Sequence, residues 1–423
     1  MKIVKITNVE NFVEKIIPNK PQKNYHIVQS IINQVKNHGD SALKKYEKKF
    51  SGAKITTFRV TQKEIKDSYN KVSKQEIAAI KLAKNRLEKT ESKIKSVFKN
   101  QTITHDGIKI SKKFIPLQKI GCYIPGGLAK YPSSVVMSVV PAKVAGVKRI
   151  VVVSPPTSNG TIDPLILVAA DICGADEIYK VGGAQAIAAL SIGTKSIPKV
   201  DKIVGPGGAF VTMAKTLVSD HTAIDMTAGP TELGIIADKS SNPHYVALDL
   251  ISQSEHSADT FCYLITNSES LARSVNQHLK ELMNTIKRSE FVKKSLKKNG
   301  FIAICKTSKN MIDLANQLAP EHLQIMTKNP QNFASKITTP GLILLGSDTP
   351  SSASDYILGS NHILPTNGFG KSRGSLSVLD FIKLSTLVKA DKTSLIQISK
   401  HLDVFAKAEG LPNHFEAVRG RLN

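Results

Sequence analysis

Short apolar strands alternate with apolar helices through the middle of the chain, and this alternation restricts the fold more than any other feature. In chain order the predicted elements are strand 149–154, helix 165–173, strand 177–181, helix 184–192, strand 202–205 and helix 210–218. Strands joined by a crossover helix run parallel, and the helices cover the faces of their sheet. The sequence therefore predicts a parallel sheet packed between helices.

A second alternation follows the first. Its predicted strands are 233–236, 260–265, 301–305 and 342–345, and its predicted helices are 243–255, 269–298 and 308–318. We therefore expect an α/β protein with two Rossmann-like domains, each incomplete and each containing a parallel-type sheet, with short arms at both termini.

The domain boundaries are placed where these patterns change. Residues 24–100 are predicted mostly helical, 346–374 form a loop rich in Gly, Ser, Pro and Thr, and 393–408 form a helix before a polar tail. A long loop inside a compact protein is usually functional. The predicted division is an N-terminal arm at 1–20, a first α/β domain at 21–118 and 232–375, a second at 119–231, and a C-terminal helical arm at 376–423.

Size and composition set broad limits. The chain has 423 residues, of which 41% are hydrophobic, enough for more than one packed core. No apolar run is long enough to cross a bilayer and no secretory segment is present, so we expect a soluble, cytoplasmic protein without a membrane partner. Cys122, Cys173, Cys262 and Cys305 form no C-x-x-C pair and are expected to be small buried side chains in a reducing compartment.

The formal net charge of +24 raises the question of nucleic-acid binding. The lysines are scattered, aromatic residues make up 5% of the chain and Trp is absent, which disfavours a base-stacking surface. No zinc-finger or RNA-recognition motif is present. We therefore expect no nucleic-acid partner. A basic RNA-binding protein is the non-enzymatic alternative, and a salt-dependent RNA shift assay would distinguish it.

Three glycine-rich turns follow predicted strands in the first alternation, at Tyr123–Gly127, Val181–Gln185 and Gly205–Gly208. Glycine at such a turn lets main-chain N–H groups approach a phosphate at a helix N-terminus. Each turn alone is explained by tight-turn geometry, and no strict G-x-G-x-x-G occurs. Three turns at the same edge of one sheet favour a ligand crevice.

Gln253 and His256 lie three residues apart at the end of an apolar helical segment, so on a helix they share one face. An amide and an imidazole on one face can hydrogen-bond a ligand or supply two of the ligands of a metal ion. Considered alone, the two residues are more often a hydrogen-bonded pair in a core.

Other polar residues later in the chain add to this pair. Glu321 and His322 are adjacent and provide two bases of different pKa, which suits two proton transfers, although an isolated Glu-His dipeptide is more often a surface pair. Asp355 lies in the long loop, and Glu409 and His414 lie near the C-terminus. The candidate ligand set of two imidazoles, one carboxylate and one amide suits zinc and comprises Gln253, His256, Asp355 and His414.

Nearly the whole chain resembles the histidinol dehydrogenases. The motifs that carry the resemblance occur in the family's order: YIPGG, VGGAQAIAAL, KVDKIVGPG, AIDMTAGP, SQSEH, APEHL, SDYILGSNHILPT, SLSVLDF and AEGLPNH. The resemblance implies NAD-dependent oxidation of L-histidinol to L-histidine by way of L-histidinal. It also implies an aldehyde-dehydrogenase-like fold, one zinc ion per subunit, and a homodimer whose C-terminal arm reaches the neighbouring site.

The resemblance also assigns roles to residues that match its motifs. Glu321 and His322 correspond to the catalytic pair of the first domain. The implied zinc ligands are Gln253, His256, Asp355 and His414. The implied substrate contacts are Thr231, Gln253, His256, His322, Asp355, Glu409 and His414. On the second domain, Tyr123, Gln185 and Gly208 correspond to the contacts with NAD+.

Two residues depart from the family's pattern. Gly208 stands where the family usually has Asn, which removes a side-chain amide from a cofactor contact. Thr231 replaces Ser and keeps the hydroxyl group. The alternative within the same family is a zinc- and NAD-dependent dehydrogenase that acts on another amino alcohol, and the substrate that drives NADH formation would distinguish the two. An inactive family member is a further alternative because of Gly208.

Overall fold

The computed structural model describes residues 1–16, 24–126, 130–227 and 229–422. The strands are β1 Lys2–Ile6, β2 Gln101–His105, β3 Ile108–Pro116, β4 Lys119–Tyr123, β5 Arg149–Ser154, β6 Glu177–Lys180, β7 Lys202–Val204, β8 Ala223–Ile224, β9 Glu232–Ala237, β10 Phe261–Thr266, β11 Phe301–Cys305, β12 His322–Met326, β13 Leu342–Leu345 and β14 Ile382–Lys389. The helices are α1 Val9–Ile16, α2 Tyr25–Phe50, α3 Gln62–Tyr69, α4 Lys74–Val97, α5 Pro132–Ala145, α6 Pro164–Cys173, α7 Gly183–Ile192, α8 Ala209–Val218, α9 Pro243–Ser254, α10 Glu269–Leu282, α11 Ser289–Lys298, α12 Ser308–Leu318, α13 Pro330–Ala334, α14 Ser351–Ser354, α15 Lys392–Ala408 and α16 Pro412–Arg419.

Some predicted features fall outside these ranges: residues 17–20 of the N-terminal arm, residues 21–23 of the first predicted domain, Gly127 of the first glycine-rich turn, Ala228 of the AIDMTAGP motif and Asn423 of the C-terminal arm. No helix in the described ranges is both long and apolar enough to span a membrane. All four cysteines are buried free thiols, as predicted.

Two parallel sheets form the centre of the fold, which confirms the predicted class. One has six strands in the order β1-β11-β10-β9-β12-β13, and the other has five in the order β6-β5-β4-β7-β8. Every pairing in both sheets is parallel. Their strands are nearly continuous apolar runs because helices cover the sheet faces.

A third, antiparallel sheet in the order β14-β3-β2 was not predicted. β14 pairs with β3 along its whole length, from Ile382 opposite Pro116 to Lys389 opposite Lys109. β2 and β14 are largely exposed and β3 is mostly half-buried, so none of the three strands has the buried apolar run that marked the other predicted strands. This sheet connects the C-terminal helices α15 and α16 to the rest of the chain.

Helices α2 and α4 pack on the five-stranded sheet, and this corrects the predicted placement of 21–118 with 232–375. Val28 and Leu43 of α2 share a core with Val153 of β5. Leu87 of α4 shares another core with Ile120 of β4. The apolar face of a helix does not specify which sheet it covers, so the sequence did not indicate this choice.

The N-terminal residues form part of the six-stranded sheet, whereas an arm was predicted. β1 pairs with β11 from Lys2 opposite Phe301 to Ile6 opposite Cys305. Ile6, Val9 and Val13 are buried in the core of that sheet. Lysines that alternate with apolar residues suit an edge strand with one exposed face.

The predicted helix 269–298 is two helices, α10 and α11. The chain turns at Arg288, whose φ of 56° is left-handed and cannot continue a right-handed helix. Both helices are amphipathic, so their combined pattern resembled one long helix.

A buried ion pair anchors the third glycine-rich turn. The Nζ of Lys215, on α8, contacts Oδ1 of Asp225 and donates to the carbonyl oxygen of Gly205 at 2.9 Å. The main-chain N–H of Gly205 donates to Oδ2 of Asp225 at 2.8 Å. Both side chains are almost completely buried, at 2% and 0% exposure. The two charged groups therefore hold both main-chain polar groups of Gly205.

We expect Lys215→Met to lower the free energy of unfolding by about 3–5 kcal/mol, because it leaves the Asp225 carboxylate buried without its cation. Urea unfolding measures this change. Lys143→Met is the matched control, because the Lys143–Asp176 pair is exposed and contributes at most about 1 kcal/mol. A loss of stability in Lys215→Met no larger than in the control would contradict the anchoring role.

Candidate active site

A cavity of about 600 Å³ lies where the two parallel sheets meet. Pro125 and the Gly205–Gly208 turn enter it from the carboxyl ends of β4 and β7. Thr231, Glu321 and His322 enter it at the amino ends of β9 and β12. The cavity is thus bounded by opposite ends of the two sheets, and loops that carry polar groups converge there.

The structure brings most of the candidate site residues into this cavity, although they come from distant parts of the sequence. The candidate residues that line it are Gly208, Thr231, Gln253, His256, Glu321, His322 and Asp355.

Helix α9 positions Gln253. It starts at Asn242, whose side chain accepts from the N–H of His244, and Pro243 occupies the first turn. Its apolar side packs into the core beside the six-stranded sheet. Gln253 lies in the last turn and is 1% exposed. His256 lies just beyond the helix, where its N–H donates to the carbonyl oxygen of Gln253 at 3.3 Å.

Glu321 is held by reciprocal hydrogen bonds with Glu232. The N–H of Glu232 donates to Oε2 of Glu321 at 2.9 Å, and the N–H of Glu321 donates to Oε2 of Glu232 at 3.2 Å. Burial raises the pKa of Glu321 to about 8, although His322 and the N–H of Glu232 lower it, and the charges of Glu232 and Asp355 raise it further. Glu321 therefore changes its protonation state close to physiological pH.

His322 lies between two carboxylates. Its Nε2 is 3.3 Å from Oδ1 of Asp355, and its Nδ1 is 3.9 Å from Oε2 of Glu321. Nδ1 also lies 3.4 Å from the carbonyl oxygen of Glu232, which favours a hydrogen on Nδ1. In this orientation of the ring, Nε2 faces Asp355. Burial alone would lower the pKa of His322, but Asp355 and Glu321 together raise it to about 9.

The long loop delivers Asp355 to the cavity, immediately after the short helix α14. Burial opposes ionisation of this carboxyl group, but the imidazole of His322 beside it outweighs burial and lowers the pKa of Asp355. Nδ1 of His362 donates to the carbonyl oxygen of Asp355 at 2.6 Å. The hydroxyl of Ser351 donates to Oε1 of Gln253 at 3.4 Å, which joins the loop to α9.

These donors fit a borderline divalent metal ion such as zinc by their chemistry. Gln253, His256 and Asp355 present oxygen and nitrogen atoms to one cavity. Nε2 of His322 is buried beside them without an aligned hydrogen bond within the described ranges. Among those residues, no three His, Cys, Asp or Glu side chains are arranged closely enough to hold a metal ion. A complete site therefore needs the amide of Gln253 and a further donor.

Tyr123 and Gln185 line a second cavity of about 630 Å³, on the side of the five-stranded sheet. Lys130 borders both cavities, so the two are adjacent. The Tyr123 hydroxyl accepts from the N–H of Gly183 at 3.1 Å, and Nε2 of Gln185 donates to Oε1 of Glu47 at 2.9 Å. Two of the three candidate cofactor contacts, Tyr123 and Gln185, therefore lie in the wall of the same cavity.

Glu409 and His414 do not line either cavity of their own chain. They lie at the end of α15 and within α16, and α16 has no buried residue. The chain therefore does not bring these two candidate residues to the other five substrate contacts.

Sequence reasoning missed three residues that hold the site residues in place: Glu232, His362 and Glu47. Glu232 directly follows Thr231, and His362 lies within the SDYILGSNHILPT motif, so their motifs gave a signal. Glu47 lies in a lysine-rich helix and gave none, although it is completely buried and accepts from Gln185.

Two parallel sheets around a buried carboxylate–imidazole cavity define an α/β protein with a two-sheet fold. A putative methylmalonate-semialdehyde dehydrogenase from Sinorhizobium meliloti 1021 shares this fold, with a TM-score of 0.50 and 12% identity over 90% of this chain and 88% of that one.

A model of the histidinol dehydrogenase family matches residues 18–422, and the chain belongs to that family. The histidinol dehydrogenase of Methanococcus maripaludis is 44% identical over the full length of both chains. That of Methanocaldococcus jannaschii is 42% identical over 100% of this chain and 98% of its own. The histidinol dehydrogenase structure from Elizabethkingia anophelis has a TM-score of 0.94 and 36% identity over 100% of this chain and 98% of that one.

Proposed function

We propose that the protein oxidises L-histidinol to L-histidine through L-histidinal and reduces two NAD+ in the last steps of histidine biosynthesis. Family membership supports the reaction. The observation that carries its assignment to this cavity is the buried pair Glu321 and His322, with His322 facing Asp355. Two neighbouring bases match a reaction with two proton removals. We place this reaction in the cytoplasm.

In the first oxidation, Nε2 of His322 takes the hydroxyl proton of histidinol while hydride leaves the same carbon for NAD+. The imidazole acts as this base in its neutral form, which Asp355 and Glu321 disfavour by raising its pKa. The Glu232 carbonyl oxygen lies beside Nδ1, so Nε2 is the nitrogen that takes the proton. The product is the aldehyde L-histidinal, one NADH and one proton.

In the second oxidation, water adds to the aldehyde while the Glu321 carboxylate takes a proton from the water. Hydride then leaves the hydrated carbon for a second NAD+, and the carboxylate of histidine remains. The buried position of Glu321 gives it a pKa of about 8, so it can accept and release protons during turnover.

The residues that would hold zinc are Gln253, His256 and Asp355, with His414 as the fourth ligand. When bound, zinc supplies a positive charge that orients and polarises the amino alcohol and offsets the Asp355 carboxylate. Thr231, His322 and Glu409 complete the proposed substrate contacts. Tyr123, Gln185 and Gly208 are the proposed contacts with NAD+.

We assign His414 and Glu409 to the site of a second copy of the chain in a homodimer. The C-terminal helices support this, because they expose several large apolar side chains that an interface would cover. These side chains and their exposures are Ile396 49%, Val404 65%, Phe405 69% and Leu411 44%. A second copy would supply the donor that each cavity lacks.

Purified protein supplied with L-histidinol, NAD+ and zinc is expected to form two NADH for each histidine. Chelation of the metal should abolish NADH formation, and added zinc should restore it. Spectrophotometry of NADH with chromatographic measurement of histidine tests this, and other amino alcohols serve as controls for substrate identity. NADH formation from another amino alcohol but not from histidinol would overturn the proposed substrate.

Glu321→Gln is expected to slow the oxidation of histidinal by about 10²–10⁴-fold, because it removes the base for water addition. The wild-type rate for this step should fall as pH decreases through about 8, where the carboxylate becomes protonated. The variant should lose that dependence. Stopped-flow NADH formation from histidinal measures both effects, and a normal rate in the variant would refute the role.

Gly208→Asn is expected to lower the KM for NAD+ by about two- to tenfold, because it adds one amide hydrogen bond. Gly208 has a φ of −67°, and nothing lies within 4 Å of an added Cβ atom. Gly205→Ala is the contrasting variant, because its φ of 116° is left-handed and its Cβ would collide with the Tyr123 carbonyl. An unchanged or increased KM in Gly208→Asn would contradict this cofactor contact.

A further inference from the structure

Glu232 is a buried carboxylate that the proposed reaction does not use. It is the first residue of β9 and is 8% exposed. Its neighbour across the sheet is the catalytic segment, because Leu233 of β9 pairs with His322 of β12. Glu232 therefore lies beside Glu321, at the point where the catalytic residues leave the loop and enter the strand.

The reciprocal hydrogen bonds between Glu232 and Glu321 fix both ends of Glu321. The carboxylate of Glu321 accepts from the main chain of Glu232 at 2.9 Å. The main chain of Glu321 donates to the carboxylate of Glu232 at 3.2 Å. The carbonyl oxygen of Glu321 also accepts from the N–H of Leu342 on β13 at 3.0 Å. The main chain of Glu321 is therefore held from both neighbouring strands, and its carboxylate is held by the N–H of Glu232.

The second carboxylate oxygen of Glu232 holds another part of the cavity wall. The N–H of Asn367 donates to Oε1 of Glu232 at 2.9 Å. Asn367 follows Thr366, which lines the cavity. Glu232 thus uses both oxygens as acceptors for two main-chain N–H groups. A glutamine side chain has one acceptor oxygen and one donor group, so it cannot make both contacts.

A second buried carboxylate beside Glu321 is unfavourable in itself. The charge of Glu232 adds to the burial that raises the pKa of Glu321. An apolar residue at this position would avoid the repulsion between the two carboxyl groups, but it would leave two main-chain N–H groups without this acceptor. The two neighbouring buried carboxyl groups therefore lower the stability of the fold, while their hydrogen bonds fix one geometry. This combination is typical of a functional site.

We propose that Glu232 is a positioning residue: its carboxylate fixes the main chain of Glu321, and thereby the place from which the Glu321 side chain reaches the aldehyde. The inference rests on the proposed function. His322 depends on Glu232 less, because it is paired in β12, faces Asp355 and contacts only the main chain of Glu232. Loss of the Glu232 carboxylate therefore affects the second oxidation more than the first.

The test is Glu232→Gln, with the two oxidations measured separately from histidinol and from histidinal. We expect the rate constant for histidinal oxidation to fall by at least about tenfold and up to about 10²-fold, the cost of a displaced catalytic group. The rate constant for histidinol oxidation should fall several-fold less, and the KM for histidinol and NAD+ should change little.

Glu91→Gln is the matched control. Glu91 is also buried, at 3% exposure, and its carboxylate accepts from the N–H of Val378 at 2.6 Å. It does not line the cavity. We expect this variant to unfold at a lower temperature and to keep the wild-type ratio of the two rates. If Glu232→Gln does not fold, Glu232→Asp keeps the charge but shortens its reach, and it should show the same selective loss.

An equal loss in both oxidations, or a change in unfolding temperature alone, would overturn the positioning role. Failure of the wild-type protein to oxidise histidinol would instead overturn the proposed function, so the two failures are distinguishable.

Discussion

The site depends on charged groups that are buried together where two sheets meet. Asp355 and Glu321 lie on either side of His322, and all three are nearly inaccessible to solvent. Burial makes each charge costly unless another compensates it. The imidazole accordingly gains a higher pKa from the two carboxylates, and Asp355 becomes more acidic beside the imidazole. Each group is tuned by the others, so the protonation states of the cavity change together.

The two sheets contribute to this cavity in different ways. The five-stranded sheet presents glycine-rich turns from the carboxyl ends of β4 and β7, where main-chain groups can approach a cofactor. The six-stranded sheet presents acid and base groups from the amino ends of β9 and β12. Glu321 and His322 lie at the start of β12, while Asp355 comes from a loop. Ser351, which precedes Asp355, is joined to helix α9 by its contact with Gln253.

The sequence predicted elements with a strong local pattern. Strands 149–154, 301–305 and 342–345 have the predicted bounds, as does helix 308–318. One error is local, namely the single helix predicted at 269–298, which is broken at Arg288. The others concern packing over long distances. The attachment of α2 and α4 to the five-stranded sheet depends on which apolar faces meet, and the chain pattern does not contain that information.

The sequence predicted some residues of the candidate site and missed others. Motifs indicated Gln253, His256, Glu321 and Asp355, and the structure places all four in one cavity. Glu232 was missed because its role comes from a neighbouring strand rather than from spacing along the chain. A motif also indicated His414, which does not line the cavity of its own chain.

Subunit complementation tests the central claim most directly, namely that one chain's cavity is completed by His414 of a second copy. Asp355→Ala and His414→Ala should each be inactive as homodimers. After the two are mixed, dissociated and reassociated, half of the dimers are mixed, and each has one site with both residues intact. The account predicts recovery of about one quarter of the wild-type activity. No recovery, with mixed dimers demonstrated by a tag on one variant, would contradict it.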